Sequence, residues 1–178
     1  MKINIIHKYI YNTFIMIVVK APGNIKYKKL RFRCSLGKAG IKKKIKEGDN
    51  ITPKGKFKIL KIYYRSDRIK KFTTKIKIIK IKKNMGWCDD PKSSLYNKEI
   101  KLPFNFSHEN LYRNDHLYDL ILVLNYNTSP IKKNKGSAIF FHIANKSYKK
   151  TKGCVALKKA DLIYLVSKIK KNTIIKII

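Results

Sequence analysis

Acidic residues are scarce in this chain: ten Asp and Glu stand against 43 Lys and Arg in 178 residues, a formal net charge of +33. So few carboxylates exclude a surface balanced by ion pairs. Cysteine is scarce as well, with Cys34, Cys88 and Cys154 only. No two of them have metal-ligand spacing and no His cluster accompanies them, which argues against a zinc site. The odd count leaves at least one free thiol, while a Cys34–Cys88 disulfide stays open in an oxidising compartment. A Walker loop is absent, because neither Gly48 nor Gly55 is followed by Gly-Lys-Ser/Thr. Long apolar runs are missing too. Tyr9 to Val19 is interrupted by Asn12 and Thr13, too short for a membrane span and at most the core of a signal segment. No repeat or low-complexity linker divides the chain. With 44% apolar residues, residues 16–178 are expected to form one domain with a real core, and residues 1–15 an N-terminal extension or weak signal segment.

What is abundant is lysine. A charge of +33 by itself suggests nucleic acid or another polyanion. Yet 38 of the basic residues are Lys and only five are Arg, whereas base and phosphate recognition favours Arg forks. Ile and Asn are enriched alongside Lys, so the charge reads as compositional bias and no nucleic-acid partner is expected. The stretch Lys75 to Lys83 shows the pattern, Ile inward and Lys to solvent, with a break in phase at Ile78-Ile79.

Strands dominate the remaining pattern. Met16 to Lys20 reads as a first strand, Ala21 to Asn24 as a turn and Tyr27 to Cys34 as the return strand. Thr52-Pro53-Lys54-Gly55 reads as a turn, and Lys56 to Tyr64 as a strand of alternating polarity. Residues 84–117 form a long excursion of the kind that is often functional. Leu120 to Tyr126 is apolar but for Asn125, hence a central strand beside the one formed by Ala138 to His142. Lys158 to Lys171 puts Leu162, Leu165, Val166 and Ile169 on one helical face, and Thr173 to Ile178 is a last strand.

Chemistry concentrates in residues 136–157. His142 sits near the end of its strand, and twelve residues later Gly153 delivers Cys154 out of a loop. An imidazole beside a thiol is the minimum kit for covalent acyl transfer, although lone Cys and His residues are more often core fillers. Glycine before the cysteine frees the backbone for a tight turn, so the Gly153 and Cys154 amides can face a developing oxyanion. A helix N-terminus just beyond Cys154 would favour a thiolate. Trp87 either lines a substrate groove or plugs the core beneath the excursion. Asp89-Asp90 reads as a turn element rather than an acid/base dyad, and His108 is the second candidate imidazole.

His142, followed by Thr151-x-Gly153-Cys154-Val155, resembles the signature of the L,D-transpeptidase (YkuD-type) catalytic domain, compact branch. Glu47-Gly48-Asp49-Asn50-Ile51-Thr52-Pro53-Lys54-Gly55-Lys56-Phe57, Gly86-Trp87-Cys88-Asp89-Asp90-Pro91, Tyr118-Asp119 and Gly136-Ser137-Ala138-Ile139 are similar to further landmarks of that branch. The resemblance spans about residues 16–178. It implies a mainly β fold, a β-sandwich or open barrel with one clear helix after the catalytic Cys, and a bacterial cell-wall acyltransferase. Cys154 would attack the L-centre carbonyl of a peptidoglycan stem peptide and release D-Ala, with His142 as base. An amine acceptor then gives L,D-transpeptidation and water gives an L,D-carboxypeptidase. A non-catalytic basic polyanion-binding protein is the remaining alternative. The resemblance also implies that the Ile143 carbonyl holds His142, that Thr151 supports the loop, that no cofactor or metal is needed, and that the protein is a monomer in the periplasm or cell envelope. This chain departs from the widest pattern at Ile143, at Lys152 and at Ala156, where Arg or Asn is common. Lys152 is therefore expected to attract substrate carboxylate and lower the thiol pKa.

Overall fold

The computed structural model describes residues 16–178; the expectations for residues 1–15 lie outside them. In chain order the elements are β1 (Met16–Lys20), β2 (Asn24–Tyr27), β3 (Leu30–Ser35), β4 (Ile41–Lys42), β5 (Thr52–Pro53), β6 (Gly55–Tyr64) and β7 (Ile78–Lys80). They continue with β8 (Met85–Cys88), β9 (Glu99–Lys101), β10 (His108–Asn110), β11 (Leu120–Leu124), β12 (Phe140–Ile143), β13 (Val155–Leu157), α1 (Lys159–Lys168) and β14 (Ile174–Ile177). The main sheet runs β11-β12-β13-β3-β2-β1-β14-β6, and β6 pairs back to β11, so the sheet closes into a barrel with β7 on the outer edge of β6. The mainly β architecture, with a single helix among the described residues, matches the sequence expectation.

Closure depends on β6, whose ten residues serve two neighbours. Its first half, Gly55 to Lys58, pairs with β14; Ile59 to Tyr64 pairs with β11 on the other side. The barrel interior is filled by alternate residues of each strand, among them Ile17, Ile62, Leu122, Phe141, Val155 and Ile175. On α1, Leu162, Leu165 and Val166 are buried, as the 3.6-residue spacing requires.

β11 shows no alternation because both of its faces are covered. Leu120, Leu122 and Leu124 enter the barrel, while Ile121 and Val123 enter a second apolar cluster with Trp87, Leu111, Tyr118 and Phe140. That outer cover is a three-stranded antiparallel sheet, β10-β8-β9. Residues 84–117, expected as a loop, thus carry strands of their own. They were illegible as strands because each is only three or four residues long and broken by polar turns.

Three other expectations change. The first hairpin is a three-stranded meander, split at Lys28, which adopts φ +55° without any Gly, Asn or Asp to mark the turn. Thr52-Pro53 is a short strand parallel to β4, its Thr52 hydroxyl accepting the Gly37 amide at 2.8 Å. The Lys75–Lys83 strand shrinks to Ile78–Lys80, with Ile76 and Ile81 buried on either side of an exposed Ile78. All three cysteines are free, so the Cys34–Cys88 disulfide is not formed.

Candidate active site

Strand alternation selects the side chains that leave the barrel. On β12, Phe141 and Ile143 point inward, as does Ile139 just before it, while Phe140 and His142 face the covering sheet. β13 runs parallel to β12 with Phe141 opposite Val155 and His142 opposite Ala156. Cys154, one step before β13, therefore falls on the same face as His142 and diagonal to it. Both line one cavity of about 400 Å³ between the barrel wall and the covering sheet. Tyr118 packs edge-on against the His142 ring, with centroids 5.4 Å apart, and Trp87 stands T-shaped on Phe140 at 5.3 Å.

The loop before the cysteine is built tightly. The Thr151 hydroxyl donates to the Cys154 carbonyl at 2.6 Å and accepts the Gly153 amide at 3.1 Å. Gly153 has φ +141°, and a Cβ there would sit 2.9 Å from the Ile51 carbonyl oxygen, so only glycine fits. Since the Gly153 amide is spent on Thr151, the expected pair of oxyanion donors reduces to the Cys154 amide, which has no acceptor among the described residues.

His142 is buried, and its Nδ1 lies 2.9 Å from the Ile143 carbonyl oxygen. A carbonyl can only accept, so Nδ1 carries the proton and Nε2 is left with its lone pair. Burial pushes the imidazole pKa down to about 4, with Arg113 adding to the effect and the Ile143 bond opposing it. The ring is thus a neutral base across the physiological range.

Cys154 is half-buried, and its thiol donates to the Ala138 carbonyl at 3.1 Å while accepting the Phe140 amide at 3.4 Å. No hydrogen bond joins it to His142. Burial pushes its pKa up to about 12; the Phe140 amide lowers it, Glu109 raises it and Lys44 lowers it. This corrects the expectation of a depressed thiol. α1 begins only at Lys159, with β13 intervening, so its N-terminus does not meet the sulfur. Lys152 lines the cavity but is exposed to water, whereas Lys44, which lines it too, is buried. Lys152→Ala should accordingly leave the pH dependence of Cys154 alkylation unchanged, whereas a midpoint displaced by half a pH unit or more (roughly 0.7 kcal/mol) would reinstate Lys152.

The other candidates separate cleanly. Trp87 is 4% exposed in the second core cluster and donates from Nε1 to Asn97 Oδ1 at 3.0 Å, a core plug that does not line the cavity. Its expected substrate-binding role is corrected by that burial. His108 bonds the Phe106 carbonyl and lies outside the cavity. Asp90 accepts the Lys92 amide as a turn residue, while Asp89 lines the cavity with a buried, unpartnered Oδ1. Lys44, Glu109 and Arg113 also line the cavity without having been singled out from the sequence. Arg113, gripped by Asp115 through two bonds of 2.9 and 2.6 Å, was findable as one of five arginines. Lys44 was one lysine among 38 and carried no signal. Among the described residues no group of three or more His, Cys, Asp or Glu side chains is placed to hold a metal ion, and no helix is long and apolar enough to cross a membrane.

In comparisons with known proteins, the family model described as the L,D-transpeptidase catalytic domain (YkuD) matches residues 12–177. No curated protein matches the chain significantly.

Proposed function

Because the chain belongs to the L,D-transpeptidase (YkuD) catalytic-domain family, we propose that Cys154 is its acyl-accepting nucleophile and His142 its general base, acting on a peptidoglycan stem peptide. The family acts on such peptides and is typically associated with the cell envelope. The observation that carries the reading is that His142 and Cys154 line one cavity with the imidazole fixed as its Nδ1–H tautomer.

A neutral thiol beside a neutral imidazole makes a preformed ion pair unfavourable. The sulfur therefore loses its proton as it attacks, not before. Sγ swings from the Ala138 carbonyl towards Nε2, which takes the proton while the C–S bond forms at the L-centre carbonyl. The carbonyl oxygen gains charge against the Cys154 amide; one such donor typically contributes about 2.7–4 kcal/mol. Collapse breaks the C–N bond, the imidazolium protonates the departing D-Ala amine, and a thioester remains. An amine acceptor completes transpeptidation, and water completes carboxypeptidase trimming. Arg113 and Lys152 in the cavity wall supply cations for substrate carboxylates, which offsets the loss of the usual side chain at Ala156.

Intact-protein mass spectrometry after incubation with a disaccharide tetrapeptide or a carbapenem tests this. One adduct per chain, mapping to Cys154, is expected. Absence of any adduct at Cys154 with both reagents sinks the proposal.

A further inference from the structure

The 44–49 loop brings a buried ion pair to the edge of the cavity. The Lys44 side chain is 2% exposed, and its ammonium bonds Asp49 Oδ1 at 2.5 Å. Asp49 is pinned in turn by the amides of Ile45, Lys46 and Ile51 at 2.8–3.2 Å. Burial works against the Asp49 carboxylate, yet Lys44 and these amides hold its pKa at about 2. The Lys44 stem fills the space where a Cβ on Gly136 would lie, 2.2 Å from Lys44 Cε. One residue, Ser137, separates Gly136 from Ala138, whose carbonyl receives the Cys154 thiol. Lys44 lines the cavity and Asp49 does not, so the positive end of the pair faces the sulfur.

Opposite charge comes from β10. Glu109 lines the same cavity, and among the described residues its carboxylate is bonded only to the Tyr118 hydroxyl, at 3.3 Å. The other titratable or charged groups facing the thiol are Arg113 and Tyr118 from the 111–120 segment, Asp89 from the end of β8, Glu47 from the 44–49 loop, His142 from β12 and Lys152 from the thiol's own loop. Of these, Arg113 is ion-paired with Asp115, and Glu47 accepts the Tyr96 hydroxyl. Lys152 is exposed and screened by water.

We propose that Lys44 and Glu109 are positioning residues of opposite sign, their fields at Sγ setting how readily Cys154 releases its proton: Lys44 favours release and Glu109 opposes it. A low-dielectric wall makes such fields larger than surface charges can produce. A substrate cation lodged against Glu109 would thereby sharpen the nucleophile only when the cavity is filled. The proposal rests on the reading of Cys154 as nucleophile.

The test is the rate of Cys154 alkylation by iodoacetamide in the folded full-length protein, measured from pH 7 to 9, with thermal melts confirming the fold. Lys44→Met should slow alkylation at least about fivefold and Glu109→Gln speed it at least about threefold, by the same ratios at each pH. A folded variant within 1.5-fold of wild type (roughly 0.2 kcal/mol), or both variants moving in the same direction as loosened packing would dictate, overturns the assignment. If Lys44→Met fails to fold, Glu109→Gln decides alone. Alkylation needs no peptidoglycan chemistry. Shifts as expected in a protein that takes no stem-peptide adduct therefore uphold the charge assignment and count against acyl transfer.

Discussion

Cys154→Ser should take no adduct from a tetrapeptide or carbapenem, and His142→Gln should slow adduct formation about 10²–10⁴-fold. The first follows from the base available. An imidazole whose pKa is held down at about 4 is a weak acceptor for the far less acidic hydroxyl of serine, while a thiol remains within its reach. The second follows from the resting state. With the thiol pushed up to about 12, almost no thiolate exists at neutral pH, so attack needs a base in place during bond formation. The sign of the pH effect is fixed by the same values. His142 is depressed from its ordinary 6.5, so the base stays competent from neutral pH downwards and acylation is lost only as pH falls through about 4. A wild-type rate that instead collapses near pH 6.5 would mean a solvated imidazole. Folding stability follows the same sign: the neutral ring is favoured in the fold, so stability is full above 6.5 and declines as pH falls towards 4.

Trp87→Ala should cost about 3–5 kcal/mol in chemical denaturation, the range for removing a large buried aromatic. The side chain is 4% exposed, packs on Phe140 and bonds Asn97. That bond has a reach beyond stability. Asn97 Oδ1 also accepts the Ala138 amide at 3.1 Å, and the Ala138 carbonyl holds the Cys154 thiol. Asn97 is fixed from behind, since its Nδ2 donates to the carbonyls of Tyr126 and Asn127. Trp87→Phe should keep most of the packing, cost only about 1 kcal/mol for the lost bond, and alter the acylation rate without changing substrate affinity. A Trp87→Ala variant as stable as wild type but with weakened substrate binding would place the indole in the groove after all.

How much of this was legible depended on whether the signal was local. The fold class and the positions of β6, β11, β12 and α1 follow from polarity patterns within single segments, and these the sequence displays. The diagonal placement of His142 and Cys154 needs the parallel register of β12 and β13, which no local pattern encodes. The thiol's high pKa was missed for a related reason. The lysine count around Cys154 suggested a cationic setting, but burial dominates and most lysines point to water. Trp87 could be read either way because its environment is supplied by β8–β10, strands too short to recognise. Arg113 and Glu109 stood out only by rarity, in a chain with five arginines and ten acids.

The way the ring is sealed has a consequence for how the molecule comes together. β14 lies between β1, to which it runs parallel, and β6, so the seam joins segments some 160 residues apart along the chain. Contacts of that span are entropically late, and a newly made polypeptide must hold its inner faces of β1 and β6 unmatched until Ile174–Ile177 arrive. During that interval the lysine-rich exterior does useful work: mutual repulsion keeps half-formed barrels from pairing their open edges with one another.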